Sequence, residues 1–360
     1  MSHIGTGMTE VWSGDTPLLH EVVRRAGKSL VPWQAALEVT HRCNLRCKHC
    51  YIDRELRQYP GDELSVPEWS EILDQLVAEG TLYLLFTGGE VLLRSDFLNI
   101  AFAAKERNFR IAILTNGTLV DAAVIAGLAR LRPIAVGVSL YGATAPTHEA
   151  VTGCPGSFEA SREAIVRLTQ NDVPVVAQVT IMDGNIHEVG AIRTLVDSLG
   201  ASLSMSHELV PTRGCSQSPL QFRPTYDAIN RYLASDPLFR TLEPGLGPTT
   251  CQAGRAVCAI SPYGEVLPCL MMPMLLGNLR DRSFRDIWWE NPSDDLVSLR
   301  SLSRGDFESC DGCADAAFCE RCPGVALAET GSLTGRPPST CHSAATRAKL
   351  YSEMQGETSI

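Results

Sequence analysis

Apolar and polar positions divide the first two thirds of the chain into short alternating segments. Short apolar segments predict strands, the second being a compact apolar run and the fourth rich in β-branched residues, and segments with helical periodicity predict helices. The predicted strands are Gln34–Thr40, Tyr83–Thr87, Arg110–Thr115, Ile134–Leu140, Val175–Met182 and Ser202–Leu209. The predicted helices are Ser65–Ala78, Asp96–Lys105, Asp121–Leu131, Ser157–Asn171, Val189–Leu199 and Pro224–Ala234. Ser65 and Glu68 predict a capping box at the first of these helices.

Six strand–helix units in series predict a parallel sheet with right-handed crossovers. The pattern fits both an incomplete barrel and an open doubly wound sheet, and in both folds ligands bind at the carboxyl ends of the strands. Polar motifs follow the first three strands: a cysteine-rich loop at residues 43–50, Gly88-Gly89-Glu90, and Thr115-Asn116-Gly117. We therefore expect these three motifs to meet at one edge of the sheet.

The composition and the periodicity of the sequence change after residue 234. Proline, glycine and cysteine become frequent, helical periodicity fades, and residues 243–250 have the composition of a linker. The predicted organisation is an N-terminal leader (1–33), a strand–helix domain (34–240), a cysteine-rich domain (241–345) and a C-terminal tail (346–360).

Composition narrows the possible functions. The net charge of −10 argues against a nucleic-acid partner, because neutralising phosphates requires a basic surface. No apolar run approaches the roughly 20 residues that span a bilayer, and Met1–Pro17 lacks a signal-peptide pattern, so we expect a cytoplasmic protein without a membrane partner. In that reducing compartment, 13 cysteines, an odd number, indicate metal binding more than disulfides.

Cys43, Cys47 and Cys50 form a C-x3-C-x2-C loop directly after the first predicted strand. Three closely spaced thiolates can each bind a different iron of a [4Fe–4S] cluster, and the absence of a fourth cysteine in the loop leaves one iron open to a small ligand. The alternatives are a zinc site completed by His49, which would be strained within so short a loop, and ordinary loop thiols.

The whole loop resembles the hallmark of the radical S-adenosylmethionine (SAM) superfamily, including an aromatic residue, His49, before the third cysteine. The resemblance implies a partial (β/α)6 TIM-like barrel. It also implies a cluster whose open iron chelates SAM and, once reduced, cleaves it to methionine and a 5′-deoxyadenosyl radical. By the same resemblance, Gly88, Gly89 and Glu90 form the SAM-binding Gly-Gly-Glu motif, with Val91 in place of the usual proline. Asn116 and Ser139 match positions that contact SAM in relatives.

A second group of eight cysteines occupies the last third of the chain: Cys251, Cys258, Cys269, Cys310, Cys313, Cys319, Cys322 and Cys341. Eight thiols are the number that two fully ligated [4Fe–4S] clusters require. Zinc is the alternative, because two C-x2-C pairs lie within this group. Only five residues separate these pairs, however, against about fifteen to twenty in a two-knuckle zinc site.

This array resembles the SPASM domain, the C-terminal extension of a radical SAM subfamily. The matching pieces are Cys251-Gln252-Ala253-Gly254, the predicted hairpin at 260–269, Gly277-Asn278-Leu279 and the C-x2-C-x5-C-x2-C run. The resemblance implies one auxiliary cluster on Cys251, Cys258, Cys269 and Cys322, and a second on Cys310, Cys313, Cys319 and Cys341. Cys154 and Cys215 belong to neither set and are interpreted as ordinary thiols.

Three stretches, 84–94, 114–118 and 139–158, are most similar to members that modify ribosomally made precursor peptides. The resemblance implies a precursor peptide as substrate and an electron donor such as flavodoxin or ferredoxin. Because few residues precede the first strand, we expect either a separate small protein or the two domains themselves to recognise the peptide. No catalytic residue is assigned, although Cys215 is a candidate hydrogen donor.

Three alternatives remain open at the level of the sequence. Relatives that modify tetrapyrrole side chains in haem synthesis share both domains. Sulfatase maturases carry an aspartate after the cysteine that matches Cys269, whereas this chain has Leu270. A non-enzymatic iron–sulfur electron carrier would explain the C-terminal cysteines but not the three-cysteine loop.

Overall fold

A nine-stranded sheet runs through the molecule. The computed structural model describes residues 17–58, 61–214, 216–235, 251–307 and 310–357. The strands are β1 (Gln34–Thr40), β2 (Tyr83–Gly88), β3 (Arg110–Thr115), β4 (Ala135–Ser139), β5 (Val175–Thr180), β6 (Ser202–Ser206), β7 (Val257–Ile260), β8 (Glu265–Leu267) and β9 (Gly277–Asn278). Their order is β6-β5-β4-β3-β2-β1-β7-β8-β9. All six predicted strands are present and pair in parallel, which confirms the expected α/β fold.

Within the described residues, one helix precedes β1, at least one helix follows each of the strands β1–β6, and three helices follow β9. Their bounds are α1 (Pro17–Lys28), α2 (Val66–Ala78), α3 (Phe97–Glu106), α4 (Ala122–Leu131), α5 (Ala145–Thr152), α6 (Ser157–Gln170), α7 (Val189–Ser198), α8 (Tyr226–Ser235), α9 (Asp294–Ser301), α10 (Pro323–Thr330) and α11 (Pro338–Glu357). The capping box predicted for α2 is formed: Ser65 Oγ accepts a hydrogen bond from Glu68 N, and Ser65 N donates to Glu68 Oε2.

The two faces of the sheet bury side chains of different sizes. Leu37, Phe86 and Ile113 belong to the large core between sheet and helices. The opposite face carries a smaller set that includes Ala36, Leu85 and Ala112. The sheet begins at β6 and ends at β9, so it is an open, partial barrel and not a closed one.

The cysteine-rich segment extends the same sheet. Strand β7 pairs in parallel with β1, with Ala35 opposite Cys258, and β8 and β9 continue antiparallel. Trp288 is fully buried, and its indole Nε1 donates to Leu30 O at 2.7 Å. The two predicted domains therefore share one backbone-paired sheet. The predicted linker at 243–250 lies outside the described residues.

Helices α1, α5, α9 and α10 were not predicted. Helix α1 occupies part of the stretch interpreted as a leader, and α5 falls within the segment between β4 and α6. Helix α5 spans only 8 residues, and it buries the polar His148 and Thr152 beside Val151, so its sequence lacks an apolar stripe. None of the helices in the described part of the chain is long and apolar enough to cross a membrane.

Candidate functional site

The loop that follows β1 carries the first three cysteines to the carboxyl edge of the sheet. Its backbone is attached to the end of α5: Arg46 N donates to Thr152 O at 2.8 Å, and Lys48 N donates to Val151 O at 3.1 Å. Within the loop, Cys50 N donates to Cys47 O. The unpredicted helix α5 thus fixes the shape of the cysteine loop.

Cys43, Cys47 and Cys50 line one cavity of about 800 Å3. Burial raises the pKa of Cys43 to about 11, and burial followed by the thiols of Cys50 and Cys43 raises the pKa of Cys47 still further. Mutual coupling of this kind requires the three sulfurs to lie near one another. Across the described ranges, no three His, Cys, Asp or Glu side chains have the arrangement that holds a single metal ion.

The Gly-Gly-Glu segment at the end of β2 lies against the backbone that leads into the cysteine loop. Gly89 N donates to Thr40 O, and Glu90 N donates to Arg42 O, both at 2.8 Å. A Cβ on Gly88 would stand 2.2 Å from Thr40 O, and one on Gly89 would stand 2.1 Å from Arg42 O. The paired glycines are therefore required by this backbone contact, and Gly88 also has a positive φ of 130°.

Glu90 is fully buried and joins β2 to the end of β3. Its carboxylate accepts hydrogen bonds from Thr115 Oγ1 at 2.7 Å, Asn116 N at 2.6 Å and Leu92 N at 3.0 Å. Burial raises the pKa of Glu90, and these three donors oppose the shift. The Glu90 side chain therefore links the Gly-Gly-Glu segment to the Thr115-Asn116-Gly117 segment by hydrogen bonds.

Of the other two predicted SAM contacts, Asn116 contacts the cysteine loop directly, and Ser139 is connected to it through Tyr141. Asn116 Nδ2 donates to Asn44 Oδ1 at 2.9 Å and lies 4.0 Å from Cys43 Sγ. Ser139 hydrogen-bonds the Tyr141 side chain, whose ring packs edge-on against His49 with 4.8 Å between centroids. The structure thus brings the three predicted motifs together at one edge of the sheet.

A buried charged network beneath the loop was not predicted. Glu38, on the same face of β1 as Ala36, accepts a hydrogen bond from Tyr51 OH at 2.6 Å and forms an ion pair with Arg213. Burial alone raises the pKa of Glu38, but Arg213, His41 and Tyr51 outweigh it and hold the pKa at about 2. A single charged residue within a strand was the only sequence signal for this network.

The last four cysteines of the C-terminal array come together as expected. Cys310, Cys313, Cys319 and Cys341 line a cavity of about 250 Å3. Burial, followed by the thiols of Cys341, Cys310 and Cys313, raises the pKa of Cys319 to about 11. Arg336 Nε lies 3.4 Å from Cys341 Sγ.

The other C-terminal set contains three thiols and not the expected four. Cys251 and Cys269 pack against the same small apolar cluster. Burial raises the pKa of Cys322, and the nearby thiols of Cys251 and Cys269 add to the shift. Cys258 does not join them. It lies on β7, fully buried in the main core, with its Sγ 3.8 Å from Gln34 O, and burial is the only cause of its raised pKa. Strand alternation turns Cys258 towards the helices, so the structure does not bring it together with the other three thiols.

The two remaining cysteines lie outside these sets. Cys154 is partly buried near the start of α6, with its Sγ 3.9 Å from Pro155 O. Cys215, the candidate hydrogen donor, lies outside the described residues.

Comparison with protein families gives two matches. Residues 37–195 match the radical SAM superfamily, and residues 251–315 match SPASM, an iron–sulfur cluster-binding domain. The first match contains the cysteine loop and the Gly-Gly-Glu segment, and the second contains five of the eight C-terminal cysteines.

Curated relatives span most of the chain. An AdoMet-dependent heme synthase of Methanosarcina barkeri is 29% identical over 85% of this chain and 95% of its own length. Mycofactocin maturase MftC of Mycobacterium tuberculosis is 31% identical over 78% of each chain. The subtilosin biosynthesis protein AlbA of Bacillus subtilis is 27% identical over 81% of this chain and 67% of its own.

Solved structures share the fold. Streptococcus suis SuiB bound to its precursor peptide SuiA has a TM-score of 0.68 and covers 91% of this chain and 82% of its own, at 16% identity. The protein anSMEcpe with bound AdoMet has a TM-score of 0.69 and covers 91% of this chain and 98% of its own, also at 16% identity.

Proposed function

Because the chain belongs to the radical SAM superfamily and carries a SPASM domain, we propose that it modifies a ribosomally made precursor peptide. Membership makes it an enzyme that uses SAM, a [4Fe–4S] cluster and auxiliary iron–sulfur clusters. The identity of the substrate is part of the proposal. The assignment of particular residues to SAM and to each iron–sulfur cluster is part of it as well.

In this proposal Cys43, Cys47 and Cys50 hold the cluster that binds SAM. Their spacing and their shared cavity fit a cluster with one open iron. When bound, the cluster supplies the electron that cleaves SAM, and the protein positions the reactants and excludes competing reactions. Glu90 and Asn116 hold the loop in place through the hydrogen bonds described above.

The observation that carries the peptide assignment is the chemistry of the cavity wall around the three thiols. Most of its described lining residues are polar or charged, among them Asn44, Thr212, Ser216 and Ser218, and the apolar ones are few. None of the described lining residues has an aromatic ring. Pockets for flat apolar ligands are lined mainly by apolar and aromatic side chains. A peptide backbone, in contrast, offers donors and acceptors that a polar wall can bind.

Charges of both signs lie along this wall. Arg46, Lys48, Arg54 and Arg57 face the cavity together with Asp53 and Glu55. Such a lining suits an extended peptide whose side chains vary along its length. The relatives named as maturases and the peptide bound to SuiB support the same substrate class.

The experiment is anaerobic incubation of the reconstituted enzyme with dithionite, SAM and synthetic peptides encoded by short reading frames beside its gene. We expect one peptide to change mass and to increase 5′-deoxyadenosine formation above the level without peptide. Variants Cys154→Ala and Cys47→Ala provide the matched control: the first should retain turnover, and the second should lose it. Turnover of a tetrapyrrole but of no peptide would contradict the proposal.

A second candidate is modification of tetrapyrrole side chains. It is favoured by the heme synthase relatives, one of which aligns over 95% of its own length. Titration with an iron porphyrin that carries carboxylate side chains distinguishes the two functions. Saturable perturbation of the Soret band would favour this candidate, whereas the peptide proposal predicts no saturable change.

A further inference from the structure

Arg57 lies on the wall of the cavity that contains the first three cysteines. Cys43, Cys47 and Cys50 line this cavity of about 800 Å3, and Arg57 lines it with them. The arginine belongs to a short 3-10 helix, Leu56–Gln58, that follows the cysteine loop in the chain. One cavity wall therefore carries three thiols and a guanidinium group.

The backbone between the cysteine loop and Arg57 is held in place by residues that are remote in sequence. Tyr51 O accepts a hydrogen bond from Arg213 N at 2.9 Å, and Asp53 Oδ2 accepts one from Gly214 N at 2.7 Å. Asp53 O in turn accepts a hydrogen bond from Arg57 N at 3.1 Å. These bonds keep Arg57 beside the cavity although they do not involve its side chain.

The guanidinium group of Arg57 has no protein partner among the described residues. Its Nε is buried and makes no hydrogen bond, and no ion pair to the group is found in that part of the chain. Asp53 and Glu55 also line the cavity, but neither carboxylate pairs with Arg57. A partly buried cation without an acceptor is costly, so it indicates an anionic partner in the cavity.

The charge of Arg57 acts on all three thiols that share its cavity. Burial raises the pKa of Cys43, Cys47 and Cys50, and in each case the positive charge of Arg57 opposes the shift. At Cys50 the charge of Arg57 has the largest effect after burial. The anionic partner that the geometry indicates is therefore the group held by these three sulfurs.

A cluster on this loop would carry a negative charge that increases on reduction. A cubane core with two positive charges and three thiolate ligands has one net negative charge, and reduction by one electron adds a second. An arginine stays positively charged in both states. The attraction between the guanidinium group and the cluster is thus stronger in the reduced state, which a fixed cation stabilises.

We propose that Arg57 raises the reduction potential of the cluster held by Cys43, Cys47 and Cys50. The inference rests on the proposed assignment of these cysteines to the cluster that binds SAM. An external one-electron donor such as dithionite supplies the electron, and Arg57 makes the transfer more favourable without gaining or losing a proton. Net charge is one of the properties that set the potential of an iron–sulfur cluster.

The test is an anaerobic redox titration of the full-length, reconstituted protein, followed by electron paramagnetic resonance. The signal of the loop cluster is identified by its change when SAM is added and by its absence after replacement of Cys43, Cys47 and Cys50 by alanine. Arg57→Met and Arg57→Gln remove the charge with side chains of different polarity, and Arg57→Lys keeps it. Arg54→Met is the matched control, because Arg54 lines the same cavity but is exposed.

We expect Arg57→Met and Arg57→Gln to lower the midpoint potential of the loop cluster at unchanged iron content. Arg57→Lys and Arg54→Met should stay close to the wild type, and the C-terminal clusters should keep their potentials in every variant. A wild-type potential in both neutral variants of Arg57, or an equal shift in Arg54→Met, would overturn the inference.

Binding of SAM, measured by isothermal titration calorimetry, separates this role from a direct contact with SAM. We expect the neutral variants of Arg57 to bind SAM with the affinity of the wild type. Weaker binding without a shift in potential would overturn the inference, since Arg57 would then contact SAM instead of acting on the cluster. A wild type without any SAM-sensitive signal would overturn the cluster assignment on which the inference rests.

Discussion

The two cysteine regions are constructed in opposite ways. The first is a single loop at residues 43–50, shaped by backbone hydrogen bonds to the end of α5. The second gathers its thiols from distant segments, among them the residues before β7, the turn after β8 and the starts of α10 and α11. The first site follows from local chain geometry, whereas the second exists only once the sheet has been extended and the last helices are in place.

Arg213 connects the two regions. Its backbone N donates to Tyr51 O at 2.9 Å, and its guanidinium pairs with Glu38 beneath the first loop. The same guanidinium lowers the pKa of Cys269, against the larger effect of burial. Substitution of Arg213 therefore tests the comparison between the two cysteine regions.

The largest expected effect is that of Arg213→Met. It leaves the fully buried Glu38 without its guanidinium partner, and breaking a buried pair in this way costs about 3–5 kcal/mol. Anaerobic thermal denaturation followed by circular dichroism measures the loss. The double variant Glu38→Gln/Arg213→Met should recover much of it, because no uncompensated charge then remains. A single variant as stable as the wild type would show that the link is not structural.

A smaller effect is expected for Gly89→Ala, which perturbs only the first region. The new Cβ would stand 2.1 Å from Arg42 O and 2.5 Å from His41 O, so the start of the cysteine loop must shift. Displacements near 1 Å cost about 100-fold in rate, and we expect a loss of that order in 5′-deoxyadenosine formation. Gly190→Ala is the control, since nothing lies within 4 Å of its Cβ. Equal activity in both variants would contradict the close contact.

The smallest effect is expected for Cys258→Ala, which tests the second region. Because this thiol is buried in the apolar core, its loss should leave the iron content unchanged. Cys251→Ala, in contrast, should lower the iron content. Iron and sulfide are quantified in both reconstituted variants. Equal loss of iron in the two variants would indicate that Cys258 is a cluster ligand.

Local patterns in the sequence predicted the parallel strands and the first site. Buried apolar runs mark β2, β3 and β4, for example, but the ends of strands depend on tertiary contacts. Strand β5 ends at Thr180 and not at Met182, because Asn185 Oδ1 accepts from Met182 N at 2.7 Å and Asn185 Nδ2 donates to Thr180 O at 2.9 Å.

The other features of the site could not be predicted, because they depend on contacts between residues that are distant in the sequence. Cys258 has the sequence spacing of a cluster ligand in relatives. Its position on β7, however, directs its side chain into the apolar core. Arg213 carries no motif, and its role follows from burial and from a partner, Glu38, that is remote in sequence. The orientation of Cys258 cannot be read from residue spacing, because the pairing of β7 with β1 determines it.

The most direct test of the account is 5′-deoxyadenosine formation by the reduced enzyme with SAM, compared with the variant in which Cys43, Cys47 and Cys50 are alanine. We predict product from the wild type and none from the triple variant, while the triple variant keeps the iron of its C-terminal sites. Product from the triple variant, or none from a wild type with full iron content, would contradict the assignment of radical chemistry to this loop.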